Sequence, residues 1–253
     1  MANKKYKHSE ERRKIGIIGK GYVGNALGNL LETNHDVVYY DKFKECDDYK
    51  VLNDCEAVFV CVPTPMKTSG EIDISAVEDA ITHCPHVPII IKSTVVPGTT
   101  DSLAKKHNRE IYFSPEFLRQ DYAVEDMKNP NRLVVTNKIL LEIFKGLVDC
   151  PIIQTDNKTA ELMKYSVNSM LASQVAIANE IYRICKTFGV KYDLVKESML
   201  LDKRIGTNIN VPGKDGFGFS GACFPKDLNA IIYHSKQKGY TPHLLEEVWR
   251  SND

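Results

Sequence analysis

Cys223 lies in the segment Gly216-Phe217-Gly218-Phe219-Ser220-Gly221-Ala222-Cys223-Phe224-Pro225-Lys226-Asp227, immediately before a helical pattern. Pro225 suits the first turn of that helix. A cysteine beside a helix N-terminus, with Lys226 close in sequence, is expected to have a lowered pKa and more thiolate. A thiolate attacks an aldehyde, which is covalent catalysis. Asp227 can act as general base or as an orienting carboxylate. On its own, such a cysteine is more often a buried structural thiol. Lys164 and Asn168 are four apart and share one helix face, where a lysine and a carboxamide can hold a hydroxyl or an oxyanion. Spacing alone favours a plainer reading, an exposed pair on a solvated face.

A second constellation binds rather than reacts. Lys14-Ile15-Gly16-Ile17-Ile18 runs into Gly19-Lys20-Gly21-Tyr22-Val23-Gly24, and a helical pattern follows at once. Gly19 permits the tight turn, Gly21 lets a pyrophosphate approach the backbone, and Gly24 allows helix to pack on strand. Asp41 ends the next strand, where a carboxylate accepts from both ribose hydroxyls and repels a 2′-phosphate. NAD is therefore expected over NADP, although Lys42 beside Asp41 offers a cation that could offset the repulsion. Two further segments close strands on the same side of the sheet. Lys92-Ser93-Thr94-Val95 with Pro97-Gly98-Thr99-Thr100 supplies hydroxyls, and Pro115-Glu116-Phe117-Leu118-Arg119 supplies a carboxylate. Helix capping and a first-turn acid are the competing readings of these two.

The elements that position these residues follow from periodicity. Apolar runs at Lys14–Gly19, Asp36–Asp41, Ala57–Val62, Pro88–Lys92, Ile111–Ser114, Arg132–Val135 and Ile152–Gln154 predict strands. Amphipathic stretches at Val23–Thr33, Ile74–His83, Thr100–His107 and Asn137–Val148 alternate with them. This alternation predicts an α/β fold, a Rossmann-type doubly wound parallel sheet with ligands at the carboxyl ends of its strands. After Thr155 the pattern turns helical. Met163, Val167, Met170, Gln174 and Ile177 recur at spacings of three and four, which predicts one helix over 156–188. Asp156 is its expected N-cap and Gly189 its stop. Helical text resumes at Asp193–Leu201, Lys226–Lys238 and His243–Ser251, interrupted by a glycine-rich loop over 206–221 that suits a ligand. The expected organisation is a charged tail over 1–13, a nucleotide-binding domain over 14–155 and a mostly helical second domain over 156–253.

Composition narrows the class. The 253 residues carry 33 Lys plus Arg against 33 Asp plus Glu, which argues against a polyanion such as nucleic acid as the main partner. No apolar run approaches the roughly 20 residues that span a bilayer. Seven cysteines at 46, 55, 61, 84, 150, 185 and 223 show no zinc-ligand spacing. Their scatter, without an export signal, reads as reduced thiols in a cytoplasm. No metal, no membrane and no nucleic acid are expected.

In order along the chain, Gly19 to Gly24, Val62-Pro63-Thr64-Pro65, Lys92 to Thr99, Pro115 to Arg119, Glu161-Leu162-Met163-Lys164-Tyr165, Asn168, Asn179-Glu180, Arg204-Ile205-Gly206 and Gly221 to Asp227 resemble the UDP-glucose/GDP-mannose dehydrogenase family. The resemblance covers essentially everything after residue 13. It implies an NAD-dependent four-electron oxidation of a sugar C6 alcohol to a carboxylate, UDP-glucose to UDP-glucuronate foremost, through a thiohemiacetal and a thioester on Cys223. It implies that Lys164 and Asn168 stabilise the oxygen at C6, that Asp227 and Thr94 handle a water or proton relay, and that Glu116 assists thioester hydrolysis. Cofactor contacts fall to Gly19, Gly21, Tyr22, Val23, Gly24, Asp41, Val62, Thr64, Ser93 and Thr94. Phe117, Leu118, Phe217 and Gly221 would line the sugar-nucleotide site beside Glu116, Lys164 and Asn168. Arg204 would reach the diphosphate across a homodimer built on the 156–188 helix.

The sequence departs from that pattern. The family continues through a linker helix into a third domain that covers the nucleotide, and here the sequence ends at Asp253. The expectation is a short form lacking that domain, and both a natural short form and a truncated chain fit. Ser220 stands where the family commonly has glycine, and Gln120 where it commonly has an acid. Two alternatives accompany the leading reading. A β-hydroxyacid dehydrogenase shares the layout and a Lys-x-x-x-Asn pair but needs no nucleophilic cysteine. A non-catalytic NAD-binding subunit would not need Cys223, Lys164 and Asn168 together.

Overall fold

The computed structural model describes residues 12–44, 48–213, 216–221 and 223–252. Residues 1–11 of the expected tail, Cys46, and Lys214, Asp215 and Ala222 of the glycine-rich segment lie outside the described residues. Two compact units result, the first drawn from 1–63, 75–94 and 98–160, the second from 64–74, 95–97 and 161–253.

The first unit alternates strand and helix as periodicity requires: β1 (Lys14–Ile18), α1 (Tyr22–Leu31), β2 (Asp36–Tyr40), β3 (Ala57–Val60), α2 (Ser75–His83), β4 (Ile89–Ile91), α3 (Thr99–His107), β5 (Ile111–Phe113), α4 (Ala123–Lys128), β6 (Leu133–Val135), α5 (Lys138–Phe144) and β7 (Ile152–Gln154). Five strands form one parallel sheet in the order β2-β1-β3-β4-β5. The expected Rossmann-type sheet is thus present. β3 and β4 are buried at every position, so both faces are covered, and their sequences are correspondingly apolar without alternation. Edge strand β2 is half-buried. Its helices close a core of Ile15, Ile17, Leu27, Leu31, Phe59, Ile90, Leu140 and Phe144.

β6 and β7 pair in parallel as a separate two-stranded sheet rather than extending the first. The outer edge of β5 is bonded by side chains instead of a sixth strand. The Phe113 N–H donates to Thr136 Oγ1 (3.2 Å) and Asn157 Oδ1 (3.0 Å), and Thr136 Oγ1 donates back to the Phe113 carbonyl (3.0 Å). Helix α4 was not expected; only Ala123 and Met127, a single i, i+4 pair, are buried along its six residues. Conversely α5 stops at Phe144, short of the expected Val148, because Gly146 adopts a left-handed φ of 71°.

The second unit is helical: α6 (Asn157–Thr187, its first turn counted with the first unit), α7 (Tyr192–Leu201), α8 (Phe224–Gln237) and α9 (His243–Arg250). Asp156 caps α6, accepting from the Thr159 N–H (2.8 Å) and hydroxyl (2.7 Å). Its buried stripe is polar and small-residue: Glu161, Lys164, Tyr165, Asn168, Ser169, Ala172, Ala176 and Asn179. Of the apolar periodicity that announces the helix, Met170 and Ile177 face outward, as does Ile184 further along. No described helix is long and apolar enough to cross a membrane.

Candidate active site

In the order β2-β1-β3 the chain reverses direction across the sheet between β1 and β3, and the crevice at such a switch point is where α/β sheets bind ligands. The glycine turn sits there. Gly19 has φ +95°, and a Cβ on it would lie 2.5 Å from the Cys61 carbonyl oxygen at the end of β3. A Cβ on Gly24 would lie 2.0 Å from the Gly19 carbonyl oxygen, so α1 can start here only on glycine. Gly21 differs: nothing lies within 4 Å of its missing Cβ, leaving open space over the N-terminus of α1. A pyrophosphate fits that cradle. Tyr22 is exposed and Val23 half-buried at the same helix start.

Asp41 follows β2, beside the same turn. Its carboxylate accepts from the Lys20 N–H (2.7 Å) and the Phe43 N–H (3.0 Å), which fixes both oxygens while leaving lone pairs for two ribose hydroxyls. The residues therefore fit an NAD adenosine diphosphate. Ser93 is buried and its hydroxyl faces the carbonyls of Val60 (3.3 Å) and Val62 (2.7 Å), so its donor holds the end of β3. Thr94 is half-buried; Thr64, counted with the second unit, is buried. Asp41→Ala is expected to weaken NAD by about 1–3 kcal/mol, the scale of hydrogen bonds to a charged group. Titration calorimetry of the folded variant checks this, and unchanged affinity would misplace the ribose.

Beyond β5 the first unit holds a cavity of about 300 Å³ with Glu116, Phe117 and Leu118 in its wall. Two residues that spacing did not single out for such a role shape this wall. Lys92 is buried at the end of β4, and its ammonium donates to Ser114 Oγ (3.2 Å) and the Pro115 carbonyl (3.3 Å). Arg132 stacks on the Phe117 ring with its guanidinium carbon 3.6 Å from the centroid. Burial lowers the Arg132 pKa. A lysine closing a run of three isoleucines was the available signal for Lys92; Arg132 offered none, since its partner lies fifteen residues away in another loop. Glu116 is buried and accepts from the Leu118 N–H (2.9 Å).

The second unit assembles a polar cluster. Lys164 and Asn168 are 4% and 6% exposed, so the solvated-face reading fails and their polarity is held inside the protein. Asn168 Nδ2 donates to Asp227 Oδ2 at 2.5 Å, and Asp227, wholly buried, also pairs with Lys226 Nζ at 2.5 Å. One amide hydrogen of Asn168 is thereby oriented, and the other remains for an oxygen ligand. Lys226, close in sequence to Cys223, pairs with Asp227. Cys223 is the N-cap residue of α8, with Pro225 in the first turn, and is half-buried. Tyr165, fully buried beside Lys164, has its phenol pushed well above the usual range by burial and by the Asp227 and Glu161 charges.

In the described part of the glycine-rich loop, Gly218 and Phe219 are pinned. The Phe219 N–H donates to Asn252 Oδ1 (2.6 Å), Asn252 Nδ2 donates to the Phe219 carbonyl (2.9 Å), and the Gly218 N–H donates to buried Asn179 (3.2 Å). Phe217 is exposed against Tyr182, and Gly221 is open on its Cβ side. Arg204 is exposed and forks onto Asp202, holding that carboxyl below the usual range. Among the described residues no cluster of His, Cys, Asp and Glu could hold a metal ion.

Burial raises the pKa of three further thiols. It pushes Cys55 up to about 11 and Cys61 and Cys84 up to about 12. A raised thiol pKa keeps the neutral form at pH 8. These three are expected to alkylate with iodoacetamide at pH 8 at least about tenfold more slowly in the folded than in the denatured chain. Peptide mass spectrometry reads the difference, and equal rates would contradict it.

Residues 41–140 match the NAD-binding domain of the UDP-glucose/GDP-mannose dehydrogenase family, and residues 158–253 match its central domain. The chain is 33% identical to UDP-glucose 6-dehydrogenase AglM of Haloferax volcanii, over 94% of this chain and 69% of that protein. It is 40% identical to a UDP-glucose 6-dehydrogenase of Rickettsia bellii, over 79% of this chain but half of that protein. The solved structure of a UDP-glucose dehydrogenase from Pyrobaculum islandicum superposes with a TM-score of 0.87 at 28% identity, over 97% of this chain and 69% of that one.

Proposed function

This chain belongs to the UDP-glucose/GDP-mannose dehydrogenase family of NAD-dependent oxidoreductases, and on that premise we propose that it oxidises the C6 alcohol of a nucleotide sugar, UDP-glucose foremost, to the carboxylate through Cys223. The observation that carries this reading is the buried Lys164–Asn168–Asp227 cluster on α6 and α8, with Cys223 as the N-cap of that same α8. NAD, when bound, accepts the two hydrides, one molecule for each oxidation. Lys164 and Asn168 donate to the C6 oxygen as it gains negative charge, and their fixed positions favour that state over the neutral alcohol. Sγ of Cys223 bonds to the aldehyde carbon, giving a thiohemiacetal. Loss of its carbon-bound hydrogen as hydride, with a proton from its hydroxyl, leaves a thioester. Water then adds to the thioester carbon, the C–S bond breaks, and the carboxylate and free thiol are released. Glu116 assists that hydrolysis and Thr94 the proton relay, as the family resemblance implies.

The exposed apolar seam of α6, Met170, Ile177 and Ile184, with exposed Phe188 just beyond its end, supports a homodimer through this helix, with Arg204 exposed for the partner's diphosphate. NADH formation at 340 nm tests the reaction. About two NADH per UDP-glucose consumed is the expected result. One NADH from a simple hydroxyacid, or none from any nucleotide sugar, would overturn the reading.

A further inference from the structure

Three lysines surround Asp41, and each is directed elsewhere. Lys20 Nζ lies 4.7 Å above the Tyr39 ring, and Lys44 Nζ donates to the Lys20 carbonyl. Lys42, the residue next to Asp41, reaches across to α2, where its ammonium lies 3.6 Å from Asp79 Oδ2. Asp79 Oδ1 faces His83 Nδ1 at 3.4 Å on the same helix. Among the described residues, the carboxylate paired with one of these cations is that of Asp79, on Lys42. The pair is exposed, at 62% and 41% of the two side chains, so it contributes little to stability. Its consequence is where it puts the charge. A 2′-phosphate brings about two negative charges to the carboxylate that serves the ribose hydroxyls, and a cation within reach would offset them.

We infer that Asp79 is a second determinant of cofactor choice, a positioning residue that holds Lys42 away from the 2′-phosphate of NADP and so reinforces the selectivity of Asp41. This rests on the NAD site described above. Without the Asp79 charge, Lys42 loses the carboxylate that draws it to α2, and its place next to Asp41 in the chain makes it a partner for the 2′-phosphate of NADP that NAD does not need. The discrimination is then a difference between two cofactors that share every other contact, so a general loosening of the domain cannot imitate it.

The test is titration calorimetry with NAD and NADP on the full chain, Asp79→Asn, Lys42→Met and the double variant. Asp79→Asn is expected to tighten NADP about two- to fivefold, the scale of an exposed charge pair, while NAD changes less than about twofold. The double variant is expected to return NADP to its original weak binding. An unchanged NADP-to-NAD ratio in Asp79→Asn, or a gain that survives in the double variant, overturns the inference while leaving the NAD site intact. Failure of the unsubstituted chain to bind NAD would overturn the cofactor reading, and this inference with it.

Discussion

Cys223→Ala is expected to abolish steady-state NADH production from UDP-glucose, by about three orders of magnitude or more, while leaving NAD affinity and folding intact. The size follows from the chemistry. The first oxidation needs no nucleophile, but the second needs a carbon that carries both a hydrogen and a group able to leave later, which the thiol supplies. Without sulfur the aldehyde has no covalent partner, and net turnover to the carboxylate stops. Stability should hold because alanine removes only one sulfur at a half-buried site. Stopped-flow absorbance at 340 nm separates the steps. A burst of at most one NADH per site, followed by no turnover, is the expected trace. Undiminished steady-state turnover would remove the covalent route, whatever else the cluster does.

How much of this was legible differs by element, for physical reasons. The sheet was readable because Ile89-Ile90-Ile91 and Ala57-Val58-Phe59-Val60 are buried on both faces and therefore uninterrupted by polar residues. The glycine turn was readable because two of its positions reject a Cβ and the third must stay open. The separation of β6 and β7 was hidden, since the β5 edge is taken up by hydrogen bonds that the Phe113 N–H donates to Thr136 and Asn157, which no periodicity records. Helix α6 illustrates the opposite failure. Its existence was plain, but the familiar inference that the apolar stripe faces inward would have put Lys164 and Asn168 in solvent. Their burial depends on partners from elsewhere in the chain, above all Asp227, fifty-nine residues from Asn168. Polar residues at helical spacing acquire meaning only once such partners are known. Arg132 on Phe117 and Lys92 on Pro115 are further contacts of the same tertiary kind.

Asn168→Ala is expected to lower kcat by about 10²- to 10³-fold, the loss that follows removal of one preorganised donor from a developing oxyanion. KM should move much less, because the donor matters most when the C6 oxygen is charged. The same substitution settles what Asp227 does. Its carboxylate touches Asn168 at 2.5 Å and Lys226 at 2.5 Å, a geometry suited to orienting the amide, whereas a general base must exchange a proton with water or substrate. The two roles couple differently. If Asp227 acts through Asn168, then Asp227→Asn costs far less in an Asn168→Ala background than in the unsubstituted chain, giving an interaction energy of about 1–3 kcal/mol. If it acts as a base, the two losses multiply. Residues in contact are where additivity is expected to fail, so a cycle measured on kcat, with NAD affinity as the control for folding, distinguishes the roles without any further structure. We expect the non-additive result; strict multiplication would reassign Asp227 from holding the amide to moving the proton.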